Sequence, residues 1–193
     1  MAEQERARIQ PGTRDQVGAL NAAILRLIGL ATGGRAPNVF STLARHRGLF
    51  RRWLWFAGAL MPGGKLPRRD SELVILRVAH NTGSGYEWAQ HERLGWMAGL
   101  SEEEIARVRE GATAPGWSER QALLLAAVDE LHAGDRIGAE TWEGLAHQLD
   151  ETELIELCLL AGHYRMLAGA LNSIAVETDP IPEQSRLRWL SRR

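Results

Sequence analysis

Apolar residues recur three and four apart along most of the chain, and nowhere do they alternate with period two for long enough to make a strand. The pattern predicts an all-α protein. A first helix, from residue 13 or 15 to 31, carries Val17, Leu20, Ile24, Leu27 and Ile28 at helical spacing, and Thr32-Gly33-Gly34 stops it shortly before Pro37. Residues 38–47 form a short helix. Residues 49–61 form a longer one whose Phe50, Trp53, Trp55 and Phe56 mark a core or a subunit interface. Pro62-Gly63-Gly64 breaks the chain before a central pair of helices. Beyond the pair, Ser101-x-x-Glu104 is a capping box that opens a helix to about residue 109. Ser118 caps a helix over 120–132, a short helix covers 141–148, and a last long one runs over 152–176.

The central pair organises the rest. Residues 67–81 and 84–98 read as two helices joined by Gly83-Ser84-Gly85, a backbone loose enough for a sharp turn. At about 100° per residue, Glu72, Ile75, Leu76 and Ala79 share one face of the first helix and Arg77 lies on the other. In the second helix Glu87, His91, Leu94 and Ala98 share a face. Each apolar face therefore has ionisable residues at its centre. A carboxylate buried alone must pair, hydrogen-bond or hold its proton, so Glu72, Glu87 and His91 are candidate site residues. Each also has a structural alternative. Ser84-x-x-Glu87 fits a capping box, His91 fits a satisfied core histidine, and Glu72 fits an early-helix acid favoured by the helix dipole.

These motifs resemble the carboxymuconolactone decarboxylase family, which includes the alkylhydroperoxidase D-like proteins. The resemblance covers roughly residues 37–176 and concentrates in 66–108, with Pro37-Asn38-Val39-Phe40 and Leu43-Ala44-Arg45-His46 similar to the larger members. It implies an alkylhydroperoxidase D-like helical domain with an N-terminal helical extension. The peroxidase branch carries Cys-x-x-Cys-x-x-x-His, whose cysteines would fall at Ser84 and Glu87. Neither is Cys, so thiol peroxidase chemistry is not expected. The decarboxylase-like branch has an acid four residues before the His, as in Glu87-x-x-x-His91, and the family's upstream glutamate falls on Glu72. The resemblance implies a small-molecule substrate, no cofactor, and a homo-oligomer: dimer, trimer or hexamer.

Three chemistries are open to this cluster. In the first, Glu72, desolvated among Ile75, Leu76 and Ala79, moves protons together with a coupled Glu87–His91 pair. Decarboxylation or isomerisation of a small lactone or keto acid needs nothing more. In the second, Glu87 and His91 at i, i+4 share a metal ion that Glu72 or His80 completes. In the third, the fold is kept without the chemistry, as a binding or interaction protein.

Composition narrows the choice. At 193 residues the chain can bury one good core, divided here as an arm and helix (1–36), a helical domain (37–178) and a tail (179–193) rich in Arg with Trp189. A net charge of −1 gives no electrostatic case for nucleic acid or an anionic membrane. Cys158, the single cysteine, excludes an intrachain disulfide and any dithiol pair, and its Leu-rich setting suggests an inert core thiol. The charged first ten residues are no secretory signal and 16–31 is too short to span a bilayer, so a cytoplasmic protein is expected. Seven Trp in one small helical domain also argue for an oligomer. A faint internal repeat relates 72–76 to 153–157, each followed by a histidine, His80 or His163. The position matching His91 is Asn172, which makes the second copy structural.

Overall fold

A computed structural model describes residues 6–180, and among them there are ten helices and no strand. In chain order these are α1 (Arg14–Val17), α2 (Ala19–Thr32), α3 (Asn38–Leu43), α4 (Arg47–Leu60), α5 (Arg68–Asn81), α6 (Gly85–Met97), α7 (Glu102–Arg107), α8 (Glu119–Gly134), α9 (Ala139–Ala146) and α10 (Glu151–Ile174). They make two compact units, one of Met1–Leu54 with Ile174–Arg193 and one of Trp55–Ser173. The Arg- and Trp-rich tail lies outside the described residues from 181 onward.

In the first unit the expected single helix is two. Gly18, at φ +80°, breaks it between α1 and α2. The break resets the phase of the apolar pattern. Val17 is buried, but Leu20 and Leu27 of α2 face solvent, and the buried residues of α2 are Asn21 and Gly29. Asn21, which interrupts the apolar run, is the hub here. Its amide donates to the carbonyls of Ala44 and Arg47 at 3.1 and 3.3 Å, and its carbonyl accepts from Arg51 at 3.0 Å. Arg47 in turn donates to the carbonyls of Asp15 and Gln16. The arginine patch around α4 thus ties helices together within this unit.

The second unit is built around α5, whose residues 70–76 are all buried. One side packs Val74, Ile75 and Val78 against Leu124, Leu157 and Leu160. The other packs Leu73 and Leu76 against Leu100, Ile105 and Val108. Each such buried side chain contributes on the order of 1.5–3 kcal/mol. The polar residues of α5 are therefore enclosed and must be paired. Asp70 accepts from Arg120 at 2.8 Å. Arg77, expected on an outer face, donates to both oxygens of Asp129 at 2.6 and 2.9 Å and to the Val108 carbonyl at 2.7 Å. That guanidinium is committed to the fold. Glu156 of α10, also buried, accepts the backbone N–H groups of Lys65 and Leu66 at 2.5 and 3.1 Å and so fixes the loop that leads into α5.

Candidate active site

Local sequence sets the two site helices in place. Pro67 is the N-cap of α5, with a fixed φ suited to a helix start. Gly83, at φ +62°, makes the turn that a side chain would strain, and Ser84 then caps α6 by accepting the Glu87 N–H. One turn beyond His91, Gly95 lets α6 close on α5. A Cβ there would lie 3.0 Å from Leu100, 3.3 Å from Leu76 and 3.7 Å from the Cβ of Glu72.

Glu72 has no exposed surface, yet both of its oxygens are engaged. Oε1 receives Nε and Nη2 of Arg68, one helical turn back, at 2.7 and 2.6 Å. Oε2 lies 2.7 Å from His91 Nδ1. Arg68, Glu72 and His91 thus form one hydrogen-bonded chain across the two helices. It also assigns the histidine tautomer: Nδ1 carries the proton directed at Glu72, and Nε2 is left as the basic nitrogen. The expected pairing of Glu87 with His91 along α6 is replaced by a pairing of Glu72 with His91 between helices.

Glu87 is 2% exposed, and neither carboxyl oxygen makes a hydrogen bond. The capping-box alternative is only half realised. Ser84 Oγ accepts the Glu87 N–H, but the Ser84 N–H donates to Ala79 and not to the Glu87 side chain. Burial is the leading cause and pushes the Glu87 carboxyl up to about 8. At neutral pH it holds its proton and can donate.

Tyr164 of α10 completes the group. Its ring stands perpendicular to His91, centroids 5.0 Å apart. Its hydroxyl is held protonated first by burial and then by the nearby Glu72 and Glu87 carboxyls. His163 lies beside it with ring centroids 5.3 Å apart, and burial lowers its pKa. Sequence reasoning missed Arg68 and Tyr164. The i, i+4 spacing of Arg68 and Glu72 was available as a signal; nothing local to residue 164 points to the site.

His80 stays apart from the cluster. It is exposed at the end of α5, edge-on to Trp88, and its pKa is lowered by partial burial and by Arg77 and Arg109. Among the described residues, no three His, Cys, Asp or Glu side chains are arranged to hold a metal ion. A half-open groove of about 190 Å³ between α8 and α10, lined by His132, Asp135 and Arg165, contains none of the cluster residues.

Comparison with known proteins agrees with this fold. Residues 47–130 match the carboxymuconolactone decarboxylase family. No curated protein sequence matches the chain. Among solved structures, an uncharacterised peroxidase-related protein from Ralstonia eutropha, described as an alkylhydroperoxidase AhpD core, superposes with a TM-score of 0.81 at 15% identity, covering 96% of this chain and 97% of that one. A peroxidase-related protein from a Silicibacter species gives 0.79 at 15% identity, over 93% and 95% of the two chains. The debrominase Bmp8 gives 0.74 at 13% identity, over 92% and 95%. Residues 47–130 are thus similar to the carboxymuconolactone decarboxylase family, the described residues have an AhpD-like fold, and the single cysteine leaves no Cys-x-x-Cys pair.

Proposed function

We propose that the protein is a cofactor-free acid–base enzyme acting on a small oxygenated carbon acid, by decarboxylation or isomerisation of a lactone or keto acid. One observation carries the reading. An imidazole whose tautomer is fixed by a doubly held carboxylate stands in the same cluster as a second carboxyl that keeps its proton at neutral pH. His91 Nε2 is the base, and Glu72 positions it and stabilises its cationic form. Glu87 is the acid that returns a proton to carbon or oxygen. The Tyr164 hydroxyl is a neutral donor for a developing enolate oxygen. Arg68 pairs with Glu72 and is itself 41% exposed, so the chain of paired groups reaches solvent. The family supplies the substrate class.

The redox activities named for structural neighbours do not extend naturally to these residues. Ser84 and Glu87 stand where a dithiol would sit, and burial pushes the Cys158 thiol up, away from the reactive thiolate. The rival reading is a binding protein that kept the fold. Screening carboxylated lactones and keto acids for product, with the parent, Glu72→Gln, Glu87→Gln and His91→Ala, separates the two. Loss of a group that transfers a proton costs about a hundredfold or more in turnover. If all three variants match the parent on every substrate converted, the cluster is structural and the enzyme reading fails.

A further inference from the structure

The turn that follows α7 presents a guanidinium whose donors are unused. Arg109 lies face-on over the indole of Trp88, its Cζ 3.9 Å from the ring centroid. Among the described residues its side chain makes no hydrogen bond and no ion pair. The backbone that carries it is anchored from below. Arg77, only 12% exposed, donates from Nη1 to the carbonyls of Val108 and Arg109 at 2.7 and 3.3 Å. Gly111, at φ +97°, folds close over the same guanidinium, where a Cβ would lie 2.9 Å from Arg77 Nη2, and its carbonyl accepts from Trp117 Nε1 at 3.0 Å. Arg109 is therefore held at its backbone and at its tip. A guanidinium stacked on an aromatic ring keeps its in-plane N–H groups open, and one already immobilised loses little more freedom on binding.

The surroundings lack a matching anion. His80 meets the same indole edge-on, with ring centroids 6.4 Å apart, and is exposed. The charges that act on its ring are Arg77 of α5, Arg109 of the turn and Asp129 of α8. Asp129 is already engaged, since both of its oxygens receive Arg77 and Oδ1 also receives Asn81 at 2.7 Å. The side chain of Glu110, next in the chain to Arg109, forms no ion pair among the described residues. Two guanidinium charges thus face one carboxylate, before any proton is added to His80.

We propose that Arg109 and His80, framed on Trp88, bind a phosphate group, free or as a monoester. The guanidinium fork matches two oxygens of a tetrahedral oxyanion. His80 approaches from the ring edge, a second direction, and meets a third oxygen that a planar carboxylate does not have. Trp88 packs its body on the Leu73 and Leu76 cluster and is covered by Arg109, so the site reads the phosphate and not what the phosphate is attached to. Partial burial, then Arg77 and Arg109, hold the His80 ring less basic than usual, and a bound phosphate reverses the effect of those charges. None of Glu72, Glu87, His91 and Tyr164 takes part, so the inference is independent of the acid–base reading.

The test is histidine NMR on the full chain. The His80 Hε1 resonance, assigned by its loss in His80→Gln, is followed against pH with and without millimolar inorganic phosphate, at ionic strength held constant with sodium chloride. Phosphate should raise the His80 pKa by about one pH unit, a tenfold preference of the ligand for the charged ring. Acetate at the same concentration should leave it unmoved. In Arg109→Gln the ligand-free His80 pKa should rise, because a depressing charge is gone, and the phosphate effect should vanish. Arg109→Lys keeps the charge without the fork and should bind phosphate roughly tenfold more weakly than the parent. A His80 pKa that ignores phosphate, or the same phosphate-induced rise in Arg109→Gln, would overturn the proposal. So would an equal rise with acetate or full affinity in Arg109→Lys, either of which marks a general counter-ion effect. A ligand-free His80 pKa unchanged by Arg109→Gln would overturn it as well, by showing that the two groups do not share a site.

Discussion

Glu87 makes the stability of this protein depend on pH in a direction opposite to that of most carboxylates. The unfolded chain releases the Glu87 proton near 4.5, whereas the native state keeps it until about 8. Between those values the native state binds more protons than the unfolded one, so stability falls as pH rises and the loss is complete above about 8. The gap of about 3.5 pH units, at roughly 1.4 kcal/mol per unit, amounts to about 5 kcal/mol. No screening discount applies to a group 2% exposed. Glu87→Gln replaces the protonated acid with an amide of the same shape that does not titrate. Urea unfolding of parent and variant at pH 5, 6, 7 and 8 should give a difference that moves in favour of Gln by about 1.4 kcal/mol per pH unit. Contributions shared by both proteins, such as His163, whose buried neutral ring favours folding more as pH rises, cancel in the subtraction. Parallel stability curves from pH 5 to 8 would refute the buried neutral acid, and with it the proton donor of the proposed mechanism.

Two further outcomes follow from the fold. Asn21→Ala should lower stability by about 2–4 kcal/mol, because it leaves buried carbonyls of Ala44 and Arg47 without their donor and Arg51 without its acceptor; thermal unfolding followed by circular dichroism measures it. The purified protein should show no thiol-dependent hydroperoxide turnover, and a peroxide-consumption assay in which Cys158→Ser abolished activity would contradict that.

The sequence marked the central helix pair to within about a residue at each end, 67–81 and 84–98 against Arg68–Asn81 and Gly85–Met97. Its punctuation is strong there: Pro67 fixes one start, Gly83 the turn and Ser84 the next cap. The first helix was misread because a single glycine shifts helical phase. Val17 and Leu20 share a stripe only if the helix is continuous, and Gly18 interrupts it. The site residues were visible as ionisable groups centred on apolar faces. Their pairing was not, since spacing along one helix shows Glu87 and His91 as neighbours, whereas the partner actually used depends on how α5 and α6 cross. Tyr164 comes from α10, far along the chain, and only tertiary packing brings it to His91. Arg77 shows the same limit from the other side. Its place opposite the apolar stripe suggested solvent, but α5 is enclosed and the residue meets Asp129.

The enclosure of α5 governs how readily the site can be remodelled. A side chain at any of positions 70–76 already touches neighbours, so enlarging one displaces core and shrinking one opens a void. Directed evolution that seeks a new substrate range should therefore draw few viable clones from α5. Diversity should accumulate instead near His163 on α10, beside Tyr164, where a changed contour can reach the cluster without unseating the helix that carries Glu72. Selection experiments would then leave the carboxylate–imidazole pair untouched while the walls around it vary.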